Sequence, residues 1–182
     1  HHYGVFSPMI QQSLSEIDLW LGEILKATED AGIREETDFF IVSDHGQLNI
    51  SRVLALNCLF AEAGMITVNP DGTMGDYTAY CKSAALSGHI YMKNPDDEQA
   101  KARVYDFLCG LRDQEVYGIT RVYTAREAQR EEHLQGGFSF VVESDGYTSF
   151  SNDWRRPLVR PISFDDYKYG RGTHGHLPQK GP

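Results

Sequence analysis

The chain has 182 residues, 41% hydrophobic and 12% aromatic with seven prolines, the profile of a globular protein rather than a disordered or collagen-like one. Seventeen basic against 26 acidic side chains give a net charge of −9, which excludes the basic footprint of a nucleic-acid or anionic-membrane binder. No apolar run approaches the roughly 18–20 residues of a membrane helix, since Phe39–Val42 is broken at once by Ser43 and Asp44.

Apolar residues recur at Ile10, Leu14, Ile17, Leu21, Ile24 and Leu25, which predicts a one-faced helix from Ser7 to Ala31. Ser7-Pro8 supplies its start and Gly32 its stop. Thr37–Val42 is apolar without alternation, the pattern of a strand buried on both faces of an α/β sheet, and it ends at Ser43-Asp44-His45-Gly46. Ser51–Ala63 reads as a helix closed by Gly64, Met65–Val68 as a strand and Asn69–Gly72 as a turn.

The middle has a different texture. Ala85–Met92 reads as a strand, Pro95–Leu111 as a helix opening on acidic residues, Val116–Tyr123 as a strand and Thr124–His133 as helical, a small β-α-β insert. Gly136-Gly137 is a hinge back to the main body, Phe138–Glu143 another strand, and Trp154–Pro182 irregular. The expected organisation is an α/β core segment over 1–75, an insert over 76–135 and a return to the core over 136–182. The chain opens on His1-His2 without a methionine and stops on Gly181-Pro182, so a longer parent polypeptide is expected. Cys58, Cys81 and Cys109 form an odd set without CxxC spacing, which argues against a disulfide framework and for a reducing, cytoplasmic setting.

Two segments carry chemistry. Catalytic groups of open α/β sheets gather at the carboxyl ends of strands, where Asp44 and His45 stand. Gly46 permits the turn that lets neighbours on a strand serve one site. Carboxylate and neutral imidazole are both ligands for zinc-like cations. The second segment, Gly170-Arg171-Gly172-Thr173-His174-Gly175-His176, sets two histidines in a glycine-rich loop. His1 is a third candidate, and spacing alone does not assemble the three.

Asp44-His45-Gly46 after an apolar strand, His1-x-x-Gly4 before a long helix and Gly172-x-His174-Gly175 near the end occur in the order that resembles the alkaline phosphatase superfamily. More narrowly they resemble its type I phosphodiesterase/nucleotide pyrophosphatase branch, with Val53-x-x-x-Asn57 and Gly146-Tyr147 as further matches. The resemblance implies an alkaline-phosphatase-like doubly wound sheet, present in part, with a small α+β cap as the insert. It implies two divalent metal ions, zinc in most members, one held by Asp44 and His45 and the other by His1 and His174. The implied substrate is a small phosphate ester or nucleotide, with neither nucleic acid nor membrane as partner. His89, Tyr91, His133 and Tyr147 are then candidate pocket residues.

The family pattern also has an aspartate four residues before the position of His1, and earlier still a metal-binding aspartate and a Thr or Ser nucleophile. All would precede residue 1, so no residue here is assigned as catalytic, and the isolated chain is expected to be inactive. Phosphonoacetate-hydrolase-like, phosphomonoesterase and phosphomutase activities share these ligands and remain alternatives, as does an inert metal-binding piece of the fold.

Overall fold

A computed structural model describes residues 2–163 and 170–177. Helix α1, Pro8–Asp30, begins where the Ser7 side chain accepts the Met9 N–H and proline takes the first helical turn. It matches the expected helix closely, but its apolar stripe is left largely uncovered by the described residues. No α1 residue is buried, and Leu14, Ile17, Trp20 and Ile24 are all more than half exposed. After a short 3-10 turn at Arg34–Glu36, the Thr37–Val42 run carries no strand ladder, and Phe40, Ile41 and Val42 are more than 80% exposed. The run has the composition of a buried strand, but a strand is made by its neighbours, and no described strand pairs with it.

The helix expected over Ser51–Ala63 divides in two. Arg52–Leu54 forms β2, which pairs in parallel with β9 (Thr148–Phe150) and antiparallel with β10 (Val159–Pro161). The helix proper, α2, runs from Leu56 to Glu62 and buries Leu56, Asn57, Cys58, Leu59 and Phe60. β-Branched Val53 belongs to the ladder, and the helix starts only once the chain has left the sheet. A small hairpin follows, β3 (Ile66–Val68) with β4 (Met74–Tyr77), around the expected Asn69–Gly72 turn.

The largest sheet has four antiparallel strands in the order β5-β6-β8-β7: Ala79–Ala84, Ser87–Met92, Phe140–Ser144 and Ile119–Thr124. The β-α-β insert is therefore split. β6 and β7 run parallel, and β8, arriving after Gly136-Gly137, pairs with both. Helix α3, Glu98–Asp113, covers one face. Asp97 caps it by accepting the Ala100 N–H at 2.9 Å, worth about 1 kcal/mol. Its buried Ala100, Val104, Leu108 and Leu111 pack on Ile90, Val122, Phe140 and Val142. Helix α4, Ala125–Glu132, opens with a reciprocal Thr124–Glu127 capping box and covers the opposite face, where Ala128 joins Tyr123, Phe138 and Val141. The capping hydrogen bonds from the Thr124 backbone and side chain hold the Glu127 carboxyl below its ordinary range.

α2 is fastened to this sheet by a polar contact. Asn57 Oδ1 accepts the Cys81 N–H at 2.6 Å and its Nδ2 donates to the Cys81 carbonyl at 2.9 Å. An asparagine amide thus completes the outer edge of β5 as a neighbouring strand would.

Candidate functional site

The segments expected to carry chemistry meet through a two-residue ladder. β1 (Leu48–Asn49) pairs antiparallel with β11 (Gly172–Thr173), Leu48 opposite Thr173 and Asn49 opposite Gly172. This sets the residues just before β1 beside those just after β11. The His45 and His174 rings stack with centroids 4.0 Å apart and planes 22° from parallel. They face a cleft of about 440 Å³, lined also by Asp44, Gln47, Leu48, Leu86, Thr173, His176 and Leu177.

The geometry within Asp44-His45-Gly46 fixes the His45 ring. Asp44 Oδ1 accepts the His45 N–H at 3.0 Å, and His45 Nδ1 lies 2.9 Å from the Gly46 carbonyl oxygen. A carbonyl can only accept, so this contact assigns a proton to Nδ1 and, in a neutral ring, leaves Nε2 as the nitrogen able to hold a metal. Nε2 lies 3.3 Å from Asp44 Oδ2. Two ligands of a tetrahedral zinc with bonds of about 2.0–2.1 Å stand about 3.3–3.4 Å apart. Residues 44 and 45 thus already hold a carboxylate oxygen and an imidazole nitrogen at the spacing of two ligands on one ion.

His174 is placed by its backbone. Its carbonyl accepts the Leu86 N–H at 3.0 Å, and Gly175 follows at φ +85°, pressed against the backbone carbonyl of Ala84. A side chain at 175 would collide with that carbonyl, so the turn demands glycine. The amino-terminal segment reaches the same ladder: Val5 N–H donates to Asn49 Oδ1 at 2.8 Å, and a Cβ on Gly4 would fall 2.8 Å from that oxygen. His-x-x-Gly is therefore tethered next to the cleft by its glycine end, while His1 lies outside the described residues.

Asp44, His45 and His174 are brought together. Among the described residues, no group of three or more His, Cys, Asp or Glu side chains could hold a metal. None of His89, Tyr91, His133 and Tyr147 lines the cleft. His89 packs on Phe138 with centroids 4.9 Å apart, and burial lowers its pKa. Tyr91 stacks on Tyr80, His133 closes α4 in the left-handed conformation, and Tyr147 is largely exposed. One residue missed in the sequence lies beneath the cleft: Glu143 of β8, buried against His176. As the last residue of an apolar run it carries no mark beyond strand parity, which sets it on the face of Val141 rather than that of Phe140 and Val142.

The mixed α/β architecture is alkaline-phosphatase-like, with parallel pairing confined among the described residues to β2 and β9. The family model of type I phosphodiesterase/nucleotide pyrophosphatase matches residues 1–176; the chain belongs to that family. A solved structure of human ectonucleotide pyrophosphatase/phosphodiesterase 5 aligns with 97% of this chain at 18% identity and a TM-score of 0.59. The chain spans 39% of that structure's length. No curated protein matches it. No helix among the described residues is long and apolar enough to cross a membrane.

Proposed function

We propose that this chain supplies part of the two-metal centre of a phosphodiesterase/nucleotide pyrophosphatase-type hydrolase whose Thr or Ser nucleophile lies outside residues 1–182. The observation that carries the reading is the Asp44–His45 pair, preset at ligand spacing with His45 Nδ1 on the Gly46 carbonyl and the His174 ring stacked alongside. Asp44 Oδ2 and His45 Nε2 would hold one zinc, and His174, with His1, the other. Bound ions would offset charge on the phosphoryl oxygens and lower the pKa of the attacking hydroxyl or water.

The chain's own contribution is placement. The Gly46 carbonyl would keep a proton on His45 Nδ1 and so leave the other nitrogen for an ion. The β1–β11 ladder holds the two ligand segments in register. Leu48, Leu86 and Leu177 give the cleft an apolar wall that strengthens electrostatic interaction by excluding water. No lysine or arginine is among the lining residues, so a phosphate ester would find its positive partners in the ions.

Residues outside this chain are also part of the proposal. The unburied apolar stripe of α1 and the exposed Phe40-Ile41-Val42 run have the character of surfaces that further core strands and helices would cover. Three free thiols, with Cys58 and Cys81 buried, support the cytoplasmic assignment.

Zinc titration of the 182-residue chain by calorimetry tests the site. Binding is expected, weakened about tenfold or more by Asp44→Asn or His174→Ala; no binding, or unchanged binding in both variants, would refute it. Sustained turnover of bis-p-nitrophenyl phosphate by the chain alone would refute the external nucleophile. Against a panel of diesters, monoesters and phosphonates, the complete hydrolase is expected to prefer diesters.

A further inference from the structure

Glu143 lies near the end of β8, inside the four-stranded sheet, and its side chain is 2% exposed. A carboxylate so placed is costly unless charged or hydrogen-bonding groups meet it. Across the ladder it faces Ser87 on β6 and Arg121 on β7. The Arg121 guanidinium is engaged elsewhere, over the Tyr123 ring and on Glu131. What meets the carboxylate from the cleft side is the histidine loop. Glu143 Oε1 accepts the Leu177 N–H at 3.0 Å, the hydrogen bond of the pair, and lies 2.6 Å from His176 Nδ1, itself 9% exposed, in a charge contact outside hydrogen-bond geometry.

We propose that Glu143 is the positioning residue of the His174 loop: one carboxylate oxygen grips residues 176 and 177 and thereby holds the His174 imidazole against His45. Upstream, the loop is anchored by the Thr173–Leu48 ladder pair and the His174 carbonyl on Leu86 N–H. Those are backbone contacts that many sequences could make. Downstream, a specific charged side chain on the most enclosed strand of the sheet holds it. His174 sits between the two anchors and turns through Gly175, so its ring direction depends on both. The grip on the loop stands on geometry alone, and its consequence for metal affinity rests on the zinc reading proposed above.

The test uses the full chain with Glu143→Gln, which keeps side-chain volume and an acceptor oxygen but removes the charge. Amide hydrogen exchange is read at Leu177 and Leu86, with Val104 and Leu108 of α3 as references, and zinc affinity is read by calorimetry. Glu143→Gln should speed exchange at Leu177 by about tenfold or more, leave the α3 amides unchanged, and weaken zinc binding about 10- to 100-fold. Exchange within twofold of wild type at Leu177 overturns the proposal. So does a uniform rise that includes α3, which marks mere core stability, or faster exchange with unchanged zinc affinity. If the wild-type chain takes no zinc, the metal reading falls and exchange at Leu177 alone decides this one. Should Glu143→Gln fail to fold, His176→Leu removes the side-chain half of the grip from the loop side, with the same readouts and the same refuting results.

Discussion

Gly175→Ala probes the turn that aims His174. Glycine 175 has φ +85°, and an added Cβ would penetrate the Ala84 carbonyl oxygen and lie 3.1 Å from its carbon and 3.4 Å from Leu86 N. Left-handed backbone costs an L-residue about 1–2 kcal/mol, and forcing a methyl into filled space adds about 1–3 kcal/mol. The obstacle is backbone on the β5–β6 turn, so no side-chain rotation relieves it. Holding the turn would therefore cost about 2–5 kcal/mol. Releasing it costs less: the Leu86 N–H loses the His174 carbonyl, a loss of about 1–3 kcal/mol for a donor so placed. The cheaper path predicts a loss of about 1–3 kcal/mol in urea unfolding, with the loop loosened at residues 174 and 175 while Glu143 keeps its hold on 176 and 177. Exchange at the Leu86 amide should accelerate, and zinc affinity should drop at least tenfold. A variant within about 0.5 kcal/mol of wild type, with Leu86 exchange unchanged, would refute the reasoning.

Asn57→Ala strips both partners from Cys81 at the outer edge of β5 and should cost about 2–4 kcal/mol in urea unfolding, with α2 losing exchange protection first. Leu108→Ala opens a cavity beneath α3, where Leu108 is fully buried, and should cost about 3–5 kcal/mol by the same assay. Ile17→Glu should change the stability of this chain by less than about 0.5 kcal/mol, because α1 buries no residue within it; a loss above 1 kcal/mol would show that the stripe is already packed. Burial pushes the Cys81 thiol up to about 12 from 9.0. The folded state therefore keeps a proton that the unfolded state releases, and stability present below pH 9 declines as pH rises toward 12. Cys81→Ala should flatten that decline, measured as the urea midpoint against pH. Part should remain, because burial and the hydrogen bond to Glu132 also raise the Tyr123 hydroxyl to about 12.

Local signals were read well wherever the answer is local. Ser7-Pro8 starts α1 and Thr124 starts α4 because capping needs only a few adjacent residues. Ladder membership is another matter. Val53 and Leu54 look helical in a window that includes Leu56, Leu59 and Phe60, yet they pair with Ser149 and Phe150 almost a hundred residues away. Thr37–Val42 has the apolar content of a buried strand, but no described strand pairs with it. β5 escaped detection because its alternation, Ala79 and Cys81 inward with Lys82 outward, is short and built of small residues. At the site, Asp44, His45 and His174 were legible as residue types that bind metal, and the order of motifs was legible as a family. Their convergence was not, because it rests on two ladder pairs between segments more than a hundred residues apart. Glu143 was hidden for the same reason: its partners, His176 and Leu177, come from a loop that only the folded sheet brings to it.

The position of β8 between β6 and β7 has a consequence for how the molecule is made. β6 and β7 do not bond to each other, so the sheet lacks its middle strand until residues 140–144 have emerged. The strands made before it, and the apolar face of α3, must wait with their edges open during synthesis. Such non-local pairing slows folding and prolongs exposure of sticky surface. Once β8 enters, it closes both ladders and sets Glu143 in place together, so completion of the sheet and formation of the loop's anchor become one event.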